Sequence, residues 1–353
     1  MLLSQFQIRK LTEYLLLSAY SVEKAGFYMG KAGIALTLFE LSRFDGKLFD
    51  ELHLEDHAIN LLTESLTYEV EDCEFANGKT GIGFALNYLI INQFVDADYL
   101  EIYQKQHLDI LQKIIKLEFK FANWYYYSDF LLYVHCLRKL TEGSDIFKYQ
   151  TILISYNLSF LDSLSNNAKL ENAPQIYECV TRLLSVLNTV DLPVEYAVKM
   201  IRKIREVDVH LTNLDCICDH PLFLAQFFCS TLLYQSDEIK TELRERLLHI
   251  MQNSIFDVWD IRLKINLVFV ISRIAQLDNS YNYRSLIEPF MHPIADDTPR
   301  SFEGFIYRMI HSRNLIKTGE HTSIINKWIW LNIHYDKMTN GACNHDVIEL
   351  FNC

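Results

Sequence analysis

A gapless internal repeat constrains this chain more than any other feature. Phe27-Tyr28-Met29-Gly30-Lys31-Ala32-Gly33-Ile34 returns 48 residues later as Phe75-Ala76-Asn77-Gly78-Lys79-Thr80-Gly81-Ile82. The match runs on into an apolar pattern in which Leu38 and Leu41 meet Leu86 and Leu89. Seven of the fifteen positions from 27 to 41 are identical to their counterparts. A repeat at this period implies one supersecondary unit copied along the chain, each copy burying its apolar face against its neighbours.

A further step of 48 reaches Tyr126-Tyr127-Ser128-Asp129-Phe130, where the apolar register continues through Leu131, Leu132, Val134 and Leu137 and the glycines are gone. Slightly shorter steps reach Asn172 to Ile176, Cys218-Asp219-His220-Pro221-Leu222, Asp260 to Lys264, and Ser301-Phe302-Glu303-Gly304-Phe305-Ile306. Between these stops lie second helical patterns such as Leu54 to Val70, Tyr99 to Leu117 and Ile239 to Asn253. Each unit therefore reads as an outer helix feeding an inner helix whose start carries Gly-x-x-Gly. Two glycines three apart on a first helical turn clear the side chains that would keep another backbone or a ligand at a distance. The N–H groups exposed there can also receive partial negative charge.

With only 11 Gly and 6 Pro in 353 residues, a sandwich or barrel of many short strands lacks its turn residues. The expected fold is all-α, a single domain over 1–353, with about seven helix pairs closed into an α/α barrel. Closure suits a first unit whose inner helix, Ile34 to Leu41, is already apolar, because an open solenoid needs polar end caps. The formal net charge of −12 disfavours a nucleic-acid backbone or an anionic membrane as partner. No apolar run approaches the roughly 20 residues that span a bilayer. Residues 1–10 carry no signal-peptide pattern, and the eight cysteines are scattered rather than arranged as a disulfide framework. A reduced, cytoplasmic protein is the expectation.

Gly30-Lys31-Ala32-Gly33-Ile34-Ala35-Leu36 and Gly78-Lys79-Thr80-Gly81-Ile82-Gly83-Phe84 resemble the Gly-x-Ala-Gly-Ile repeats of the lanthionine synthetase C-like family, and Glu303-Gly304 is similar to the opening of that family's last inner helix. The resemblance is specific over residues 26–90 and extends elsewhere as register alone. It implies a double-layered α/α barrel of seven helix pairs and a role in peptide modification, where family members add a Cys thiol to a dehydrated Ser or Thr. In such cyclases zinc lowers the thiol pKa, held by three protein ligands with one position open. Carried into this register, the first ligand falls on Cys216, with Cys218 at the family's glycine, and the Cys-His pair falls on Val258 and Trp259. The family's acid/base His falls on Tyr125. No cofactor is therefore expected, and the peptide substrate or partner protein would be bound without thioether-forming catalysis.

Several side chains remain as candidates. Cys216, Cys218 and His220 could form a relocated zinc site, which would make the chain an active metal-dependent cyclase; buried free cysteine beside an apolar run is the plainer reading. Cys343, His345 and Asp346, with His334, could complete such a site or form one alone. In the aromatic run Trp124 to Tyr127, Tyr125 and Tyr126 could line a cavity or pack between helix layers. Lys31 and Lys79 could greet a peptide carboxylate or stand solvated at a helix start. Asp129, Asp219 and Asp260 keep open a glycan-active barrel with carboxylates across its cavity.

Overall fold

A computed structural model describes residues 12–13, 15–17, 19–27, 30–44, 52–120, 124–137, 145–167, 173–190, 192–213, 221–234, 239–253 and 261–286. Among these residues the chain is all-α, with no strand. The helices are α1 (Lys31–Phe44), α2 (Leu54–Thr67), α3 (Lys79–Ile91), α4 (Tyr99–Lys116), α5 (Trp124–Leu137) and α6 (Asp145–Asn167). They are followed by α7 (Ala173–Leu187), α8 (Val194–Asn213), α9 (Pro221–Leu233), α10 (Lys240–Asn253) and α11 (Ile261–Leu277), then a 3-10 turn at Tyr283–Leu286. The chain divides into two compact units. The first holds Leu2–Glu118 with Asp129–Leu153, and the second holds Phe119–Ser128 with the described residues from Ile154 onward.

Burial alternates along the chain as the apolar pattern dictates. Nine of the thirteen residues of α3 are buried, from Thr80 to Asn87 and again at Leu89. A helix apolar on every side has no face to give to water, so it goes to the interior. The 18-residue α4 buries only Tyr99, Tyr103, Ile110 and Ile114, a single stripe at helical spacing. Its ends are set locally. The Asp98 carboxylate accepts the Glu101 N–H at 2.9 Å, and Lys113 and Lys116 oppose the C-terminal dipole. The same contrast recurs in the second unit, where eleven of thirteen residues are buried in α9 but only Leu243, Leu247 and Met251 in α10.

Each unit contains two successive buried helices that are neighbours and run in the same direction. In the first, Phe27 before α1 meets Phe75 before α3 edge-on at 5.3 Å, while Phe39 late in α1 meets Phe94 just beyond α3 at 5.6 Å. Start lies against start and end against end. Helix α2 packs on α1 and supplies the return. In the second unit Tyr177 early in α7 meets Phe223 early in α9 at 4.9 Å. Further along, Asn188 just past α7 donates from Nδ2 to the Gln226 carbonyl at 3.0 Å, and the Tyr234 hydroxyl donates to the Val190 carbonyl at 2.8 Å. Parallel buried helices of this kind are what a repeated helix pair produces.

The second unit is also clamped by a buried ion pair. Asp208 on α8, 5% exposed, takes a forked contact from Arg246 on α10, at 2.6 Å and 3.3 Å, and the Tyr177 hydroxyl donates to it at 3.0 Å. Three helices are thus tied through one carboxylate. Removing one partner of such a pair leaves an uncompensated buried charge, which costs more than the pair's net worth. Arg246→Ala is expected to lower the unfolding free energy by about 3 kcal/mol in chemical denaturation. A loss under about 1 kcal/mol would mark the pair as equivalent to a surface bridge.

Candidate functional site

The repeated motif builds the same loop-to-helix junction twice. The Lys31 N–H donates to the Lys24 carbonyl at 2.9 Å, and the Lys79 N–H donates to the Asp72 carbonyl at 2.9 Å. Both bonds reach back seven residues, so the loop curls over and caps the first turn of its own helix. A Cβ on Gly33 would overlap the Phe27 carbonyl oxygen, and one on Gly81 would overlap the Phe75 carbonyl oxygen. Phe27 and Phe75 are themselves repeat partners. The two junctions are joined to each other as well: the Phe27 N–H donates to the Ala76 carbonyl at 2.8 Å, and Phe27, Phe75 and Phe84 form a triangle of rings 5.1 to 5.3 Å apart.

Lys31 and Lys79 occupy matching places and meet matching partners. Lys31 pairs with Glu64 on α2, and the Lys79 ammonium lies 2.6 Å from Asp109 on α4. Each lysine therefore ties a buried helix to the amphipathic helix that follows it. Cys73, in the second junction, is buried; burial pushes its thiol above the ordinary value, with Lys79 pulling the other way. Its carbonyl accepts the Thr80 hydroxyl at 2.6 Å.

The third copy closes differently. Tyr127 stands where Lys31 and Lys79 stand, and Lys120 stands where Lys24 and Asp72 stand. Here the Tyr127 hydroxyl accepts the Lys120 N–H and donates to the Lys120 carbonyl, both at 2.8 Å. A side chain replaces the backbone clasp. The ring is stacked with Phe119 and Tyr156, and burial raises the phenol to about 12. Trp124 stacks on Phe160 at 5.9 Å, with the Arg182 guanidinium 5.2 Å from its ring centre, and Tyr126 is buried. Asp129, at the position of Gly33 and Gly81, is 2% exposed at the start of α5.

Lys31, Lys79 and Asp129 belong to the first unit and Tyr126 to the second. The Tyr125 side chain, Cys216, Cys218, Asp219, His220, Val258, Trp259, Asp260, Gly304, His334, Cys343, His345 and Asp346 lie outside the described residues. Among the described residues no three His, Cys, Asp or Glu side chains gather as a metal site requires, and the free cysteines there are Cys73, Cys136, Cys179 and Cys229. Cys229 is fully enclosed on α9, and burial pushes its thiol to about 11, far from a nucleophilic thiolate at neutral pH. No helix of the described residues is long and apolar enough to cross a membrane.

One cluster escaped sequence reasoning. Tyr99, Tyr103 and His107 recur every four residues on α4, and Tyr133 of α5 meets them. The Tyr99 and Tyr133 hydroxyls are 2.8 Å apart, and Tyr133 lies 3.0 Å from His107 Nδ1. Tyr103 donates to the Lys79 carbonyl at 2.7 Å. Gly83 makes room for them: a Cβ there would stand 2.7 Å from the Tyr103 ring, 2.8 Å from the Tyr99 oxygen and 3.0 Å from the Tyr133 ring. The four-residue spacing and the extra glycine in Gly81-Ile82-Gly83 were the available signals.

No protein-family model, curated protein or solved structure matches this chain.

Gly81→Ala tests the junction through the sign of its effect. In an open helix alanine is favoured over glycine by about 1 kcal/mol. Here the added methyl meets the Phe75 carbonyl and Phe27 Cβ, the latter at 2.7 Å, and overpacking of this kind costs about 1–3 kcal/mol or more. Net destabilisation in denaturant titration is the expected result. Tyr127→Phe removes both bonds of the clasp, and at the usual net worth of a hydrogen bond is expected to cost about 1–3 kcal/mol by the same measurement.

Proposed function

We propose that this chain is a divergent relative of the lanthionine synthetase C-like proteins: an α/α toroid of about seven helix pairs that binds a peptide or partner protein in the cytoplasm without thioether-forming zinc chemistry. One observation carries the reading. The residues that make up the resemblance, Gly30 to Ile34 and Gly78 to Ile82, form one junction in two copies, with matching backbone bonds, matching glycine contacts and matching lysine pairs. Parallel buried helices alternating with amphipathic ones suit the same architecture. A ring of such helices presents its inner-helix starts on one side, a suitable place to receive an extended chain.

The donor set at the inherited zinc positions does not suit the metal. Val258 offers only aliphatic carbon and Trp259 only an indole N–H donor, which leaves Cys216 alone where about three protein ligands are needed. Binding without catalysis is then what the architecture retains.

Two measurements test the reading. Elemental analysis of purified protein is expected to show well under one zinc per chain; one zinc per chain, lost in Cys216→Ser, would instead establish a working metal site and favour the cyclase reading. Fluorescence anisotropy with a labelled, unstructured peptide rich in Ser, Thr and Cys is expected to give micromolar binding, about −8 kcal/mol. Absence of binding at millimolar peptide would remove the functional proposal and leave only the architecture.

A further inference from the structure

The Tyr99–Tyr133–His107 chain admits one arrangement of protons that satisfies all three groups. Tyr99 and Tyr133 are almost wholly enclosed, and a buried hydroxyl needs an acceptor for its proton. Tyr133 is the only hydrogen-bond partner of Tyr99 among the described residues, so Tyr99 must donate to Tyr133. Tyr133 then donates to His107 Nδ1. That nitrogen must carry a lone pair, which places the ring proton of neutral His107 on Nε2.

Protonating His107 puts a hydrogen on Nδ1 and makes it a donor. Tyr133 must then accept from the ring, and the acceptor that remains for its own proton is Tyr99. The Tyr99 proton is left with no acceptor among the described residues, beside the backbone of Gly83, in a space with no room even for a methyl group. The groups around the ring offer no compensation. Tyr99 on its own helix and Tyr133 on α5 are the rings that meet it, at 6.1 and 6.2 Å. Further titratable groups act on the phenols instead: Cys136 on Tyr99, and on Tyr133 the Cys73 thiol, itself near Lys113 and near Lys79, which is engaged with Asp109. Among the described residues no carboxylate lies within ion-pair distance of His107.

We propose that this chain is a pH-sensitive latch, in which proton uptake by His107 reverses the donor direction along two phenols, strands a buried hydroxyl and loosens α4 from α3 and α5. Burial lowers the His107 pKa below its ordinary 6.5, in agreement with a ring held neutral. The sign follows from linkage. Below about pH 6.5 the opened state binds the proton more readily than the closed state, so protection is full above 6.5 and falls as the pH drops toward the closed-state value.

Amide hydrogen exchange of the full-length protein, followed by mass spectrometry and corrected for intrinsic rates, reads this directly. Protection of α4 is expected to fall by up to about tenfold per pH unit below 6.5. His107→Gln keeps an acceptor for Tyr133 and takes up no proton, so its α4 protection is expected to be flat over the same range. A pH response that survives in His107→Gln, or a flat wild type, overturns the latch. An NMR titration of the His107 ring in the unaltered protein gives a second readout: a midpoint below 6.5 supports the proposal, and one at or above 6.5 overturns it.

Discussion

Everything described in the first unit depends on one backbone lying directly against another. Gly33 and Gly81 sit under the carbonyls of Phe27 and Phe75, closer than any side chain would permit. That approach lets each loop fold over its helix start, and the N–H seven residues on completes the clasp. With the loops so placed, Phe27 reaches Ala76 and the two aromatic residues seal the seam. The lysines beside the glycines then project to the following helices. Hydrophobic burial supplies the driving force for α1 and α3, but it is indifferent to angle and register. The glycine contact fixes both.

The second unit reaches a similar parallel packing with different chemistry. Asn188 gives its amide to the Gln226 carbonyl and receives the Ser230 hydroxyl at 2.7 Å, and Arg273 donates to the Asn188 carbonyl. Three buried helices are registered by polar side chains in place of close backbone contact. Such bonds are directional, so they specify a unique packing, but each buried partner depends on the others being present. Asp208 carries the same logic outward to α8 and α10.

The helical class, and the contrast between buried helices and amphipathic ones, were legible because they depend on local composition. A sequence such as that of α9, apolar throughout, leaves little choice of environment, and Leu243, Leu247 and Met251 mark the single stripe of α10. The glycine junctions were legible because the residues that make the contact lie within a few positions of one another. Partners supplied by other helices were not. Glu64 lies 33 residues from Lys31, and Asp109 lies 30 from Lys79; nothing near either lysine announces them. The tyrosine cluster was hidden for the same reason, since Tyr133 reaches His107 across 26 positions. In the aromatic run the sequence offered cavity or packing for Tyr125 and Tyr126, and long-range neighbours such as Phe160 and Arg182 decide where Trp124 sits.

The clasp made by Tyr127 has a consequence for how a fold of this kind changes over time. In the first two copies the turn is encoded by what is missing, a side chain at glycine. In the third it is encoded by what is present, a phenol long enough to reach the amide and the carbonyl of Lys120 at once. Where the phenol holds the turn the glycine is not needed, and the position of Gly33 and Gly81 holds Asp129 in the third copy. The three copies agree in which positions are joined, although the atoms and the letters differ.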